Sequence, residues 1–468
     1  MNEKIPFRFE SLSGVSLFSG AGIGDLGFRA SGVNFQAMCE FEPDRAALAE
    51  INYREARHFV DDINRAIAPL CDFVTDQLAQ SAQELFLVTC TAPCQGMSKS
   101  GQGTLLNYIR QGKRPKLDPR NRLILPALKI ISRLRPLWVV FENVIEMRNT
   151  HIEDERGVLR PILDIIQCSV HPGYVGAAYD IEFADYGVPQ RRQRLITVYT
   201  RDPAAIDRHL HGLPFIPPRT HQRPPSRNLL PWVSAAEALM PFPPLDGKDA
   251  STAECPQLPF HRVPVLDPKK YEWIQHTPPG ASAFDNQCIN PTCGYAGNPT
   301  HGTDRSESGI NRARKDTPLY CIRCGNLLPR PYTVEADGSK RIMFGYTSAY
   351  KRMEPSLPAP ALTRNLSYPC SDNKIHPYQN RVLSLAEAMS LQTISLYPYK
   401  WGPFTIRRNG LRKKAKVATD ALIRLAVAES VPPRFLELMG RYLRAMSFDE
   451  SLPASDGFPR LATQLALL

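Results

Sequence analysis

The sequence has no apolar run approaching the roughly 18 residues a membrane-spanning helix needs. Its first residues, Met1-Asn2-Glu3-Lys4-Ile5-Pro6, contain no apolar signal-peptide core. These absences argue against a membrane protein and lead to the expectation of a cytoplasmic one with no membrane partner. A disulfide framework is missing as well. The 11 cysteines are an odd number spread through 468 residues, which disfavours a secreted scaffold and directs attention to catalytic or metal-binding thiols. There is no internal repeat and no acidic excess: 57 Lys+Arg against 46 Asp+Glu leave a formal charge of +11, which favours a polyanionic partner. What is present is a soluble, globular composition, 43% hydrophobic and 22% charged, long enough for two or three domains of about 150 residues each. Proline is abundant, at 43 residues.

Through the first 200 residues, β-rich apolar runs alternate with helical patterns, the rhythm of a parallel sheet with crossover helices. Val15 to Phe18, Phe35 to Cys39, Leu85 to Cys90, Leu137 to Phe141 and Leu195 to Tyr199 are expected strands. Asp44 to Asn52, Asn121 to Leu134 and Leu159 to Cys168 are expected helices. From Pro214 to Pro268 prolines recur every few residues, so long helices and central strands are poorly supported there. Helical texture returns at Ser384 to Gln392, Asp420 to Ala428 and Arg434 to Met446.

Four local patterns carry chemistry. The first strand enters Ser19-Gly20-Ala21-Gly22-Ile23-Gly24-Asp25, a glycine turn that lets a ligand approach the backbone, and Glu40 ends the next strand, where an acid can bind ribose hydroxyls. This pattern does not separate a nicotinamide cofactor from S-adenosylmethionine, or either from a tight turn with no ligand. The strand Leu85 to Cys90 empties into Pro93-Cys94-Gln95-Gly96-Met97, placing a thiol where open α/β sheets bind ligands; a small buried thiol is the bland alternative. A third strand ends in Glu142-Asn143-Val144, a carboxylate at the same edge that could be a general acid or anchor a ring nitrogen. A solvated Glu would look identical. Finally, Gln190-Arg191-Arg192-Gln193-Arg194 leads into a strand, and its alternation would put Arg192 and Arg194 on one face, suited to phosphate or base contacts or simply to a solvated basic edge.

Together these residues resemble the DNA cytosine-5 methyltransferases, of the restriction-modification type. The resemblance rests on an ordered series: Phe18-x-Gly20-x-Gly22, Glu40, Asp62-Ile63, Pro93-Cys94-Gln95, Asp118-x-Arg120-x-x-Leu123, Glu142-Asn143-Val144 and Gln190-x-Arg192-x-Arg194. His376-Pro377, Arg381-x-Leu383-Ser384, Leu391-Gln392 and Ser430-Val431-Pro432-Pro433 follow in the same order. The resemblance implies that Cys94 adds to cytosine C6, that Glu142 holds or protonates N3, and that Arg194, with Arg192, contacts the base's O2 or the adjacent phosphate. It further implies an S-adenosylmethionine site. Phe18, Gly20, Gly22, Ile23 and Gly24 would hold the cofactor, Glu40 its ribose, Phe41 and Asp62 its adenine, with Ile63, Pro93, Ser430 and Val431 completing the pocket. Two positions depart from the pattern: Met97 stands where the family usually has Phe, and Ala428-Glu429 where it usually has Gly-Asn.

The family's target recognition region lies between the two groups of motifs. Here it contains Cys288-Ile289-Asn290-Pro291-Thr292-Cys293-Gly294 and Cys321-Ile322-Arg323-Cys324-Gly325, two cysteine pairs each followed by glycine, the knuckle pattern of a four-thiolate structural zinc ribbon. His301 is a substitute ligand candidate, and four unrelated thiols are the bland alternative. Arg312, Arg314, Lys315, Arg323, Arg330, Lys340, Arg341, Lys351 and Arg352 are candidates for phosphate and guanine contacts, and Arg407 to Lys416 forms a second basic run.

The expected fold is α/β: a Rossmann-like S-adenosylmethionine-dependent methyltransferase sheet with an inserted loop-rich, zinc-ribbon-containing target recognition domain. Residues 1–200 would form the catalytic domain, 201–375 the recognition domain with its ribbon at about 284–330, 376–395 a connecting motif, and 396–468 a segment completing the catalytic domain. The expected activity is transfer of a methyl group to C5 of a flipped-out cytosine in a specific double-stranded DNA sequence, by a monomer with a separately acting cognate restriction endonuclease. Alternatives are cytosine-5 methylation of RNA, a non-catalytic DNA-binding homologue and, more distantly, a nicotinamide oxidoreductase.

Overall fold

The computed structural model describes residues 12–93, 97, 118–170, 172–300, 303–305, 311–313, 316–343, 348–371, 373–408, 411–412 and 415–448. Its centre is a seven-stranded sheet. In chain order the strands are β1 (Leu12–Leu17), β2 (Val33–Cys39), β3 (Arg57–Phe59), β4 (Leu85–Cys90), β5 (Trp138–Asn143), β6 (Val175–Glu182) and β7 (Gln193–Thr200), arranged β3-β2-β1-β4-β5-β7-β6. The first five are parallel neighbours, and β7 runs against both β5 and β6.

Both faces of the sheet are buried, which is why the central strands read as continuous apolar runs. β5 shows the division: Trp138 and Val140 enter one core cluster, Val139 and Phe141 the other. The first cluster is covered by α1 (Asp25–Ala30) and α2 (Pro43–Asn52), the second by α3 (Ile63–Ser81), α4 (Ile124–Leu134) and α5 (Ile162–Val170). Beyond the sheet come α6 (Pro203–Leu210), α7 (Ala235–Leu239), α8 (Pro268–Gln275), α9 (Leu385–Leu391), α10 (Asp420–Glu429) and α11 (Pro433–Phe448). Among the described residues no helix is long and apolar enough to cross a membrane.

One strand, β7, departs from the expected parallel pattern. Only ten residues separate β6 from β7, including a 3-10 turn at Phe183–Tyr186 and Gly187 at φ 75, too few for a parallel crossover. β6 escapes a pattern reading because it is a half-buried edge strand, with Gly176 where the ring of Tyr199 leaves no room for a Cβ. α3 is also additional: Asp62 caps it by accepting from Asn64 N at 2.8 Å, and Pro69 interrupts its pattern. Two expected helices begin later. Asp118 starts a 3-10 turn at Pro119–Leu123 before α4, and Leu159–Pro161 is a short strand ahead of α5.

The far end of the chain returns to the sheet. α11 crosses α1 so closely that a Cβ on Gly27 would lie 2.0 Å from Pro433 O, and one on Gly440 would lie 2.1 Å from Ser31 Oγ. Phe435 of α11 meets Phe183 and Tyr186 at centroid distances of 5.0 Å, and Trp138 Nε1 donates to Ser447 Oγ at 2.9 Å.

The segment leading into α9 is organised by a buried ion pair. Arg381 donates two 2.7 Å hydrogen bonds to Glu387, which also closes a capping box with Ser384. Desolvation would raise the Glu387 carboxyl, but the Arg381 charge and hydrogen bonds prevail and hold it near 2. Removing either partner would strand a buried charge.

Candidate active site

Register aligns the carboxyl ends of the parallel strands. Leu17 pairs with both Cys39 and Cys90, and Cys90 pairs with Phe141. The residues that follow (Phe18, Glu40, Thr91 to Pro93 and Glu142) therefore share one edge of the sheet, where open α/β folds bind ligands.

At the β1–β2 end the chain turns through Phe18 at φ 58, Gly20 at φ 54 and Gly22 at φ 72. Glycine is required at Gly22, where a Cβ would lie 2.6 Å from the Tyr53 ring, whereas a Cβ on Gly20 would meet nothing within 4 Å, so the turn is open on that side. Glu40 is fixed by two amides: Gly20 N donates to Oε2 and Glu42 N to Oε1, both at 2.8 Å. Burial raises its pKa and these hydrogen bonds oppose the rise. Phe41 beside it is 63% exposed. The turn is held from behind by Tyr53 OH donating to Gly22 O at 2.6 Å and Tyr399 OH donating to Ala21 O at 2.7 Å. An anchored acid, an exposed aromatic ring and an open glycine turn fit a nucleoside-bearing cofactor. Ile23 and Ile63 point into the core, so only their backbones are available to a ligand. Asp62 already accepts from Asn64 N and Nδ2, both at 2.8 Å, and these bonds lower its pKa.

The C-terminal segment meets this turn. A Cβ on Gly24 would lie 3.5 Å from Val431 Cβ. Ser430 O accepts from Gln392 Nε2 at 2.6 Å, and Gln392 Oε1 accepts from Gln190 Nε2 at 2.6 Å.

At the β4–β5–β7 end, Glu142 Oε1 lies 3.0 Å from Arg194 Nε, with both side chains largely buried. Antiparallel register makes this pair, since Ile196 sits opposite Glu142 and Arg194 enters β7 just beyond. Asn143 Nδ2 donates to Ala92 O at 3.1 Å, tying the end of β5 to the loop through Pro93. Cys94 lies outside the described residues. Met97 is buried in the core cluster, so the apolar exchange at this departure is absorbed by packing.

Arg192 does not share a strand face with Arg194, correcting that expectation. It lies between the short strand Gln190–Arg191 and β7, buried, with Nη1 donating to Ala428 O at 2.9 Å. Its place is a junction with the C-terminal segment rather than the Glu142 pocket.

Sequence reasoning also missed Asp25, a carboxylate buried beneath the glycine turn. Ser16 Oγ donates to its Oδ2 at 2.8 Å and Thr89 Oγ1 to its Oδ1 at 3.5 Å, joining β1 and β4. Burial outweighs these hydrogen bonds and pushes the group from 3.8 to about 7. Between those values the folded chain keeps a proton that the unfolded chain has lost, so this group's contribution makes stability fall as pH rises, by a few kcal/mol in total. Asp25→Asn should remove that loss. Its stability relative to the parent chain should rise between pH 4 and pH 8 in denaturant titrations, and a constant difference across that range would contradict the assignment.

Between α8 and α9 the sulfurs of Cys288, Cys293, Cys321 and Cys324 lie within 4.8 Å of one another, with Cys288–Cys324 at 3.6 Å and Cys293–Cys321 at 3.9 Å. A tetrahedron with metal–sulfur bonds of about 2.3 Å has edges of about 3.8 Å, so the four thiols fit a zinc ion. Gly294 at φ 52 and Gly325 at φ 71 complete the two knuckles. His301 lies outside the described residues. Two arginines expected to be available for phosphates are structural instead. Arg330 is fully buried and donates to the carbonyls of Asn286, Pro299 and Pro318. Arg352 is likewise buried and donates to Thr277, Ile274, His376 and Gln379 carbonyls and to Asn380 Oδ1. Arg323 remains exposed. Arg341 pairs with Glu335 at 2.7 Å, while Arg314 and Lys315 lie outside the described residues.

A mostly parallel sheet with one reversed strand, an open glycine turn at one end of its carboxyl edge and an acid–arginine pair at the other define an α/β methyltransferase. The chain belongs to the C-5 cytosine-specific DNA methylase family, whose model matches residues 12–405. Among curated relatives, the type II methyltransferase M1.HgaI of Avibacterium volantium is 25% identical over 449 residues, covering 92% of this chain and 98% of that protein. The type II methyltransferase M.AgeI of Thalassovita gelatinovora is 22% identical over 417 residues, covering 81% and 90% respectively. The type II methyltransferase M.XorII of Xanthomonas oryzae pv. oryzae is 30% identical over 194 residues, 40% of each chain.

Proposed function

We propose that this chain transfers a methyl group from S-adenosylmethionine to C5 of a cytosine in a specific duplex DNA sequence, as the modification partner of a restriction system. The observation carrying the reading is the Glu142–Arg194 pair, fixed at 3.0 Å on the strand edge that also presents the loop leading to Cys94. The cofactor, when bound, supplies an electrophilic methyl group. Glu40 would hold its ribose and Phe41 its adenine, with Phe18, Gly20, Gly22, Ile23, Gly24, Asp62, Ile63, Pro93, Ser430 and Val431 around them.

The catalytic roles follow from the chemistry of the base. Cytosine C5 is a weak nucleophile until C6 is attacked, and a thiolate suits that attack. The Cys94 sulfur forms a bond to C6 while Glu142 protonates or hydrogen-bonds N3, taking up the developing charge. C5 then accepts the methyl group and gives up its proton to water, the electrons of that C–H bond expel the Cys94 thiolate from C6, and N3 returns its proton to Glu142. Arg194 holds Glu142 in place and offers its remaining N–H groups to the base's O2 or a phosphate. Arg192 acts through Ala428 as a positioning residue. Because duplex stacking shields these atoms, the cytosine must leave the helix at a cost of a few kcal/mol.

Four thiolates, Cys288, Cys293, Cys321 and Cys324, would hold a structural zinc ion and so order the loop-rich recognition region, which has little core of its own. Comparing methyl transfer to duplex DNA and to tRNA tests the substrate class. Incorporation into duplex DNA with none into tRNA is expected, and the reverse would replace this reading with RNA methylation.

A further inference from the structure

Glu429, the acid standing where the family usually has Asn, has a partner across the chain. Its Oε2 lies 3.0 Å from Arg45 Nη1 on α2. The residues on either side of it are held from elsewhere: Ala428 O accepts from Arg192 at 2.9 Å and Ser430 O from Gln392 at 2.6 Å. The backbone is thus pinned by two side chains, Arg192 just before β7 and Gln392 just after α9, and the Glu429 side chain reaches α2.

α2 is the helix that carries that edge. It begins directly after Glu40, Phe41 and Glu42, and Glu42, its N-cap, donates its backbone N–H to Glu40 Oε1. The C-terminal segment grips the same helix at two further points. Lys416 Nζ pairs with Asp44 Oδ1 at 3.0 Å, and Asn52 exchanges two hydrogen bonds with the backbone of Lys400, at 2.8 and 2.9 Å. The Lys400 contact follows Tyr399, which supports the turn from behind at Ala21 O, whereas Glu429 immediately precedes Ser430 and Val431, and Val431 packs against Gly24 of the turn itself.

We infer that the Arg45–Glu429 ion pair is a positioning latch for the cofactor site. It fixes α2, with Glu40 and Phe41 at its start, against the tripeptide Ala428–Ser430, so that cofactor affinity depends on the pair and on ionic strength. This rests on the reading of the Glu40 edge as the nucleoside site. The pair is partly exposed, at 23% and 39% for the two side chains, so its effect is modest and screened by salt.

The test uses the full chain and S-adenosylmethionine, with Glu429→Gln, Arg45→Gln and the charge-exchanged double variant Arg45→Glu/Glu429→Arg. At 50 mM salt each single variant should weaken cofactor binding by calorimetry about threefold to fivefold, and should raise KM for the cofactor more than it lowers kcat. The exchanged pair should recover most of the affinity, and at 500 mM salt the parent and the single variants should converge. Single variants equal to the parent at low salt, or an exchanged pair no better than the singles, would overturn the latch. If the parent chain itself fails to bind S-adenosylmethionine, the functional reading fails instead. Amide exchange over residues 420–431 then decides on the latch alone: faster exchange in both single variants, restored by the exchange of charges, supports it, and unchanged exchange overturns it.

Discussion

Cys94→Ser is expected to lose methyl transfer by four orders of magnitude or more, a scale on which loss of a covalent nucleophile registers, while DNA affinity stays within about threefold of the parent. The reason is chemical. A serine hydroxyl is almost entirely protonated at neutral pH and a far weaker nucleophile than a thiolate, so C6 is not attacked and C5 never gains the electron density it needs. The position of the residue adds to the argument. β4 delivers the chain to Thr91, whose Oγ1 donates to Phe18 O at 2.9 Å, and Asn143 holds Ala92 O at 3.1 Å. The loop entering Cys94 is therefore tied both to the glycine turn and to the strand carrying Glu142. Single-turnover methylation and gel-shift titrations on one duplex check both halves, and a serine variant retaining turnover would refute the covalent mechanism.

The second large effect is expected on removing zinc. Metal analysis should find one zinc ion per chain, and Cys321→Ala should abolish it. The thiol geometry leads to that stoichiometry, and the surroundings indicate the consequence. The local core is small, built on Trp273, Ala283, Phe284, Leu319, Ile342, Ala349 and Tyr350, and buried Arg330 is held by carbonyls on three separate segments. Structural zinc contributes roughly 10–16 kcal/mol of binding free energy in small zinc-dependent folds, far more than this core can replace. Chelation should therefore unravel residues 284–330 and reduce specific DNA affinity to the non-specific level, while cofactor binding at the sheet edge, which rests on separate core clusters, persists. A metal-free chain that still selects its DNA sequence would overturn the ribbon.

What could be read directly from the sequence was local. The glycine turn, Glu40, Glu142 and the two cysteine knuckles depend on residues a few positions apart, whose backbone demands show in the order of residue types. The central strands were legible for a related reason, since burial on both faces leaves unbroken apolar runs. Relations between distant segments were not legible. The strand Val175–Glu182 is half-buried and carries Gly176 to admit the Tyr199 ring, so its pattern is weak, and the reversal of β7 follows from the short connection rather than from its own residues. Arg192 and Arg194 look equivalent in sequence, yet one bonds Ala428 and the other Glu142. Asp25 is no more than the last residue of the glycine-turn motif in sequence, and only the folded sheet shows it beneath the turn between Ser16 and Thr89. Glu429 appeared as a departure without a rationale until Arg45 came into view from 384 positions earlier in the chain.

The central claim is methylation at C5 of cytosine in DNA. The most direct measurement is mass spectrometry of nucleosides from duplex DNA incubated with the full chain and methyl-labelled S-adenosylmethionine. The account predicts label in 5-methyldeoxycytidine alone. Label in a methylated amino group of adenine or cytosine, or none in any nucleoside of duplex DNA, would contradict it.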